Sequence, residues 1–412
     1  PVTGNMRLGF HAPATMREVS DLVAEAANAK IPLEVRGRGS KYEVGHFIQS
    51  GSVVSSENLV GISLYEPNEL VLSAASGTPL DDIRNILAEH GQQLAFEPID
   101  LGPVLGTHAG QSSIGGVFAT NLSGSRRIKS GAARDHLLGV VCVNGWGEPF
   151  KSGGRVMKNV TGYDLCKAVA GSWGTLAVMT DVTMKVLPIA AETRTLLCFG
   201  LPDQTGIDVM TLCLGTPYEV SGTVHLQAPL AAKLSDGDIA KGNAAITAIR
   251  IENFPSAARY RIGKLKDRLA AYSPAVELDT ARSRTFWEEV RTLRMFAGSD
   301  RPLWRISTTP SRAARLVAII ARTLDIRVSY DWSGGLIWLE TPPTSDAGTV
   351  EIRRAIAEFG GHATLIRADR ATRASVEVFQ PLDPPLAALT AKLKAAFDPA
   401  GILNPGRMYP GV

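Results

Sequence analysis

Two glycine-rich stretches hold the residues best suited to chemistry. The first, "VRGRGSK", places Arg36, Gly37, Arg38, Gly39, Ser40 and Lys41 directly behind the apolar run "IPLEV". Glycines alternating with basic residues after a strand can turn successive backbone N–H groups toward an anion while the side chains add positive charge, which is phosphate-binding chemistry. The spacing meets neither G-x-G-x-x-G nor G-x-x-x-x-G-K-[ST]. Taken alone, the stretch is equally a tight turn with solvated basic side chains. The second stretch begins at Gly102 and reads "GPVLGTHAGQSSIGGVFATNLSGS". Ser112, Ser113, Gly115 and Gly116 stand where a helix would start, offering hydroxyl and backbone donors to another part of the same ligand. Paired glycines weaken a helix, so their presence argues that something approaches the backbone closely, whether a ligand or a packed neighbour.

Other chemistries find little support. Cys142, Cys166, Cys198 and Cys213 contain no C-x-x-C pair, so neither a zinc site nor an iron–sulfur cluster is written here, and all four read as buried thiols. A net charge of +3 over 412 residues, with no run of like charges, argues against nucleic-acid or membrane-surface binding and for a small molecule or another protein as partner. The 45% hydrophobic content allows large cores, and the length suits two or more domains. With no signal peptide and no long uncharged apolar span, the expected location is cytoplasmic.

The elements that must position these loops are mixed from the outset. Val19, Leu22, Val23 and Ala26 predict a helix over 15–30, with Thr15 and Glu18 as a capping box, followed by a strand from Ile31 to Val35. "ELVLSAAS" reads as a strand leading to a helix capped by Thr78, with Pro79 at its first position and Gly91 past its end. Val182, Met184 and Val186 alternate with polar residues in a further strand. A first domain is expected to close at about residue 190. From Leu303 to Ala368 the order is strand, helix 311–324 capped by Ser311, strand, a Gly334–Gly335 turn, strand, helix, strand. This is a βαββαβ unit, and a weaker copy between Thr193 and Asp279 suggests one broad sheet with helices on one face. The tail, 371–412, has a helix capped by Asp383 with Leu386, Leu389 and Leu393 on one face, then the closing loop "FDPAGILNPGRMYP".

Taken together, these stretches resemble the FAD-binding domain of the vanillyl-alcohol oxidase and p-cresol methylhydroxylase (PCMH) family. The residues that carry the likeness are Pro32 with Arg36 to Lys41, then Ser112, Ile114, Gly115, Gly116, Ala119, Thr120, Asn121 and Gly124. They continue through "GSWGTLAVMT" from Gly171, which includes Val178, to "NPGRM" from Asn404 and Pro405. The resemblance implies an α+β chain. It would have a two-subdomain PCMH-type FAD-binding domain over 1–190 and an antiparallel α+β cap of ferredoxin-like units over 191–370. Residues 371–412 would return to the first domain. It implies that these residues, with Pro98, line an FAD site.

Within the family, "GTPL", "VMKNVTGYDL", "LWRIS", "DWSGGLIWL", "GGHAT" and "NPGRMY" are similar to the FAD-binding subunits of bacterial glycolate oxidases. That likeness implies a complex with a second flavin subunit and an iron–sulfur subunit, oxidising glycolate to glyoxylate, with any membrane contact made through those partners. Self-sufficient relatives carry "H-x-G-D-G-N-x-H" in the cap, where this chain runs from Asp331 to Trp338 without a histidine. No metal site is expected there. Removal of a hydroxyl proton needs a positioned base, and His362 is the one weak candidate. The first loop also lacks the histidine through which some relatives attach the flavin, so FAD is expected to be held noncovalently. Arg126, Arg127, Lys129 and Arg134 read as a solvated loop or as a docking edge. The main alternative is a self-contained FAD-dependent 2-hydroxy-acid dehydrogenase of D-lactate type. A third reading is a scaffold that has lost its flavin.

Overall fold

Thr15 begins the first helix, Met16–Ala29, by accepting a hydrogen bond from Glu18 N at 3.2 Å. In this computed structural model, which describes residues 8–155 and 162–412, Glu18 returns the contact to Ala14 N (2.8 Å), one residue upstream of the expected partner. The buried side of the helix, Val19, Val23 and Ala26, shares a core with Leu33 and Val54. Those two residues belong to a parallel sheet in which Ser52–Ser55 lies between Gly9–His11 and Leu33–Arg36.

A second, antiparallel sheet is ordered Ile62–Glu66, Val71–Ala75, Val178–Lys185, Leu137–Val143, Pro149–Gly153. Val182 and Met184 face its core while Asp181, Thr183 and Lys185 reach toward solvent, as the alternation predicts. Thr78 does not cap the following helix. Its hydroxyl closes the preceding turn on Ala75 O (2.7 Å), so Pro79 takes the cap position and the helix runs Leu80–Glu89. The N–H of Leu80 is satisfied by Ser112 O (2.8 Å), which ties the second glycine-rich segment to this layer.

The rest of the chain builds one eight-stranded antiparallel sheet from two βαββαβ units. Its order is Ala275–Leu278, Glu192–Phe199, Ile246–Asn253, Val220–Leu226, Arg327–Asp331, Leu336–Glu340, Leu303–Ser307, His362–Arg367. The two units meet where Val220–Leu226 pairs with Arg327–Asp331. The helices do not all share one face. Helix Asp203–Leu214 packs Gly206 against His225, whereas helix Thr280–Arg291 sends Trp287 Nε1 to Thr195 Oγ1 (3.0 Å) on the opposite side. Ser311 is not a cap either: Pro310 starts a tight 3₁₀ turn, Pro310–Arg312, and the helix behind it is only Ala313–Ile320.

The tail helix, Pro384–Phe397, leaves Leu386 and Leu389 exposed and docks only through its last turn. There Lys394 is buried against Asp398 Oδ2 (2.7 Å), Thr175 O and Leu403 O. Among the described residues, no helix is long and apolar enough to cross a membrane.

Candidate FAD site

Strand Leu33–Arg36 delivers the first loop, and a residue far along the chain holds that strand in place. Asn404 accepts from Val35 N (2.8 Å) and donates to Val35 O (3.0 Å) and to Trp173 O (2.7 Å), acting as a short side-chain imitation of a neighbouring strand. The loop then turns at Gly39, whose φ of +80° is in the region that favours glycine. Gly37 matters for space. A Cβ there would stand 2.1 Å from Ser113 Oγ, the atom that caps helix Ile114–Thr120 by accepting from Gly116 N (3.3 Å). The two glycine-rich segments therefore touch: Ser40 Oγ and Ser112 Oγ are 3.1 Å apart, and Lys41 Nζ donates to Ser112 Oγ at 3.0 Å.

They line one cleft with Arg36, Arg38, Gly115, Gly116, Ala119, Thr120, Val178 and, from the closing loop, Arg407. Positive charge is in surplus in its wall. Burial, only partly opposed by the charge of Asp100, pulls the Lys41 ammonium down to about 8. Burial likewise pulls Arg407 down to about 10, and its Nη2 donates only to the carbonyls of Lys41 and Val44, both at 3.0 Å. Among the described residues, the Nε atoms of Arg36 and Arg407 are buried without an acceptor, and Glu34 is the carboxylate paired with Arg36, at 3.2 Å. Unsatisfied guanidinium donors, a lysine that burial disfavours as a cation, and glycines where a side chain would collide all suit a diphosphate.

Two family models match the chain, an FAD-binding domain over residues 8–153 and the C-terminal domain of FAD-linked oxidases over residues 376–408. Glycolate oxidase subunit GlcE of Escherichia coli (strain K12) is 32% identical over 388 residues, spanning 94% of this chain and 95% of the relative. The chain belongs to the PCMH-type FAD-linked oxidases. Glycolate oxidase subunit GlcD of Bacillus subtilis (strain 168) is 24% identical over 423 residues, covering 97% of this chain and 88% of that one. Among solved structures, 4-ethylphenol oxidase from Gulosibacter chungangensis superposes with a TM-score of 0.72 at 14% identity, covering 100% of this chain and 91% of that one. FAD is thus the cofactor of this FAD-linked oxidoreductase, and the α+β architecture is that of the family.

Not every residue that the sequence singles out reaches the cleft of this FAD-linked oxidase. Ser112 is fully buried behind it, bonded to Ser40 and Lys41, and Ile114 belongs to the hydrophobic core. Asn121 ends its helix in a left-handed conformation and accepts from Arg134 N (2.9 Å), beside Gly171. Pro98 lies away from the cleft, in the wall of a separate, highly charged cavity of about 580 Å³, where its carbonyl accepts from Arg291. Asn404 positions backbone as described, and Pro405 adjoins it outside the lining. The cleft also uses residues that the glycine patterns do not announce: Ser56, Ser76, Trp173 and Met179. Trp173, Met179 and Arg407 sit inside quoted motifs, so their signal is present but unassigned.

Gly124 has a different role, in a loop that seats the eight-stranded sheet on the FAD-binding part. Gly124 O accepts from Trp332 Nε1 (3.0 Å), Ser125 Oγ donates to Asp331 Oδ2 (2.6 Å), and Arg126 grips Glu252 through two bonds of 2.8 and 2.7 Å. Burial raises the Asp331 carboxyl to about 7 despite the bonds from Ser125 and Trp332 N, with the charge of Glu97 adding to the shift. Further along the same face, Arg305 and Arg127 both stack on Trp332, with guanidinium carbons 5.5 and 4.4 Å from the ring centroid. Arg127 is thus not merely a solvated loop residue. The ring of His362 is open to solvent but crowded by protein, and burial followed by the charges of Arg305 and Arg127 lowers its pKa.

Proposed function

We propose that this chain is a noncovalent FAD-binding subunit of a complex that oxidises glycolate to glyoxylate. Its working partners are a second flavin subunit, which carries the substrate chemistry, and an iron–sulfur subunit. The observation that carries the reading is a phosphate-ready cleft in a chain whose cap hairpin, Asp331 to Trp338, offers no imidazole. Near full-length likeness to a relative named as a glycolate oxidase subunit supports it. In this reading Arg36 to Lys41, Gly115, Gly116 and Arg407 hold the diphosphate, and Ala119, Thr120 and Val178 line the remainder of the cofactor site. Residues 1–190 and 371–412 form the FAD-binding part and 191–370 the cap. A flavin reduced by two electrons must pass them on, and the four separate cysteines of this chain assemble no cluster, so a partner supplies the exit route unless oxygen or a quinone takes the electrons directly. The chain works on the cytoplasmic side and meets a membrane through its partners.

A second reading, a self-contained 2-hydroxy-acid dehydrogenase of D-lactate type, draws on one observation: His362 stands beside two arginines at the face of the cap, poised to be neutral at pH 7. Anaerobic addition of glycolate and of D-lactate to the isolated chain separates the two. The first reading expects bound flavin that stays oxidised until the partner flavin subunit is added, and release of free FAD on denaturation. Bleaching of the isolated chain by either acid would replace it with the second.

A further inference from the structure

Most buried cations in this molecule have a carboxylate. Arg250 and Arg126 share Glu97 and Glu252, Arg367 has Glu340 at 2.7 Å, and Arg291 has Glu288. Arg305 is an exception. Its strand, Leu303–Ser307, is central in the second βαββαβ unit and points the side chain from the face that meets the FAD-binding part, in register with Trp338 on one side and Thr364 on the other. Among the described residues it forms no ion pair and its guanidinium donates no hydrogen bond, and its Nε is buried without an acceptor. Burial and the neighbouring charge of Arg127 pull the guanidinium down to about 10, the signature of a cation whose counter-charge is missing.

Around it the chain has assembled more positive charge; among the described residues the carboxylates near it are Glu340 and Asp331 on the same sheet face and Asp135, whose charge acts on Arg127. Arg127 lies over the same Trp332 ring, and it too is destabilised as a cation by burial. His362 occupies the adjacent strand, one alternate position from the residue opposite Arg305, and is open to solvent. On this face Glu340, in the strand paired with that of Arg305, is engaged by Arg367, and Asp331 already accepts bonds from Ser125 and Trp332 N and is itself held toward its neutral form. Two planar guanidinium forks and a flat indole wall match a planar anion better than a tetrahedral one, because the strands' N–H groups are consumed in the sheet and no backbone nest is left to wrap a phosphate.

We infer that Arg305 and Arg127, with Trp332 as wall and His362 at the mouth, bind the carboxylate of a small organic acid on this chain itself. The site is separate from the cleft proposed for the diphosphate, and it holds whether or not the subunit carries out any redox step.

The test is calorimetric titration of the isolated full-length chain with acetate and glycolate, with inorganic phosphate as the competing anion class and the bound-flavin absorbance recorded on the same samples. Saturable one-to-one binding of the carboxylates is expected, weakened at least ~10-fold in Arg305→Gln and in Arg127→Gln and unchanged in the surface control Arg84→Gln. Because Arg305 has no ion-pair or hydrogen-bond partner among the described residues, the ligand-free Arg305→Gln chain should melt no lower than the parent, whereas a structural arginine would leave a lower melting temperature. Should that variant not fold, Arg127→Gln carries the comparison, since Arg127 is solvent-accessible. Absence of saturable carboxylate binding overturns the inference. So does phosphate binding as tightly as the carboxylates, or loss of flavin from Arg305→Gln with carboxylate binding intact. The flavin band is read independently: a chain without flavin removes the cofactor assignment but leaves the titration decisive for this site.

Discussion

Glu97, next to the second glycine-rich segment, and Arg250, in the middle of the eight-stranded sheet, are joined by two parallel hydrogen bonds of 2.8 and 3.1 Å although 153 residues separate them. Arg250 is 1% exposed and also stacks on Trp287, its guanidinium carbon 4.3 Å from the ring centroid. Burial opposes ionisation of Glu97, but Arg126 and Arg250 outweigh it and hold the carboxyl below its usual range. The two halves of the molecule are thus clasped by charges that neither half could bury alone.

Arg250→Met should therefore be severely destabilising, by about 3–5 kcal/mol, because it leaves a buried carboxylate short of a partner. The double variant Arg250→Met, Glu97→Gln should cost less than the sum of the single changes. Urea unfolding of the four proteins of this cycle gives the coupling, and additive losses would mean that the clasp is not an interacting pair.

Gly37 and Gly39 should fail differently. Gly37→Ala drives a methyl group into Ser113 Oγ, separating the two loops, so FAD content should fall to near zero. At Gly39 a Cβ has room, with its nearest neighbours at 4.0 Å, and the penalty is the positive φ, about 1–2 kcal/mol for an L-residue. Gly39→Ala should thus weaken FAD binding without abolishing it. Gly263→Ala, in an open helical position, serves as the control, and flavin-to-protein absorbance ratios of the purified proteins decide among them.

Lys41 should make cofactor binding depend on pH. With its pKa lowered to about 8 in the free chain, the ammonium is lost as pH rises through 8, and its attraction for a diphosphate goes with it. FAD affinity should decline between pH 7.5 and 9.5. Lys41→Met should bind FAD about 10- to 100-fold more weakly, as for a lost charge-assisted hydrogen bond, and show a flat profile over the same range. A variant that kept the slope would assign it to another group.

Asp331 and Glu252 should act on stability in opposite directions. Burial raises Asp331 to about 7, above the unfolded value near 3.9, so its protonated form favours folding. That contribution is complete below about pH 4 and is lost as pH rises through 7. For Glu252, burial is overcome by Arg250 and Arg126, the folded pKa is lowered, and its contribution disappears only when pH falls below the usual carboxylate range. The melting temperature of the parent should drop from pH 5 to pH 8 relative to Asp331→Asn, which keeps the shape and the bond from Trp332 N, meets the Ser125 hydroxyl with its amide N–H as donor, and cannot ionise. Parallel curves for the two proteins would remove Asp331 from the account.

The sequence by itself determined what depends on neighbours along the chain. The strand before "RGRGSK", the helix start at Ser112 to Gly116 with its paired glycines, the alternation at Val182 and Met184, and both βαββαβ orders were legible because each is set by backbone preference and hydrophobic period over a few residues. Only the tertiary structure decided the rest. Asn404 sits in a recognisable motif, yet its work on Val35 spans 369 positions. Arg127 looked like a solvated charge until Trp332 was laid beside it, and Thr78 and Ser311 looked like caps until a turn and a proline claimed them. Arg305 shows the reason most plainly. A cation's meaning lies in whether folding brings a carboxylate to it, and that pairing is made across strands and layers, through space that no local spacing encodes.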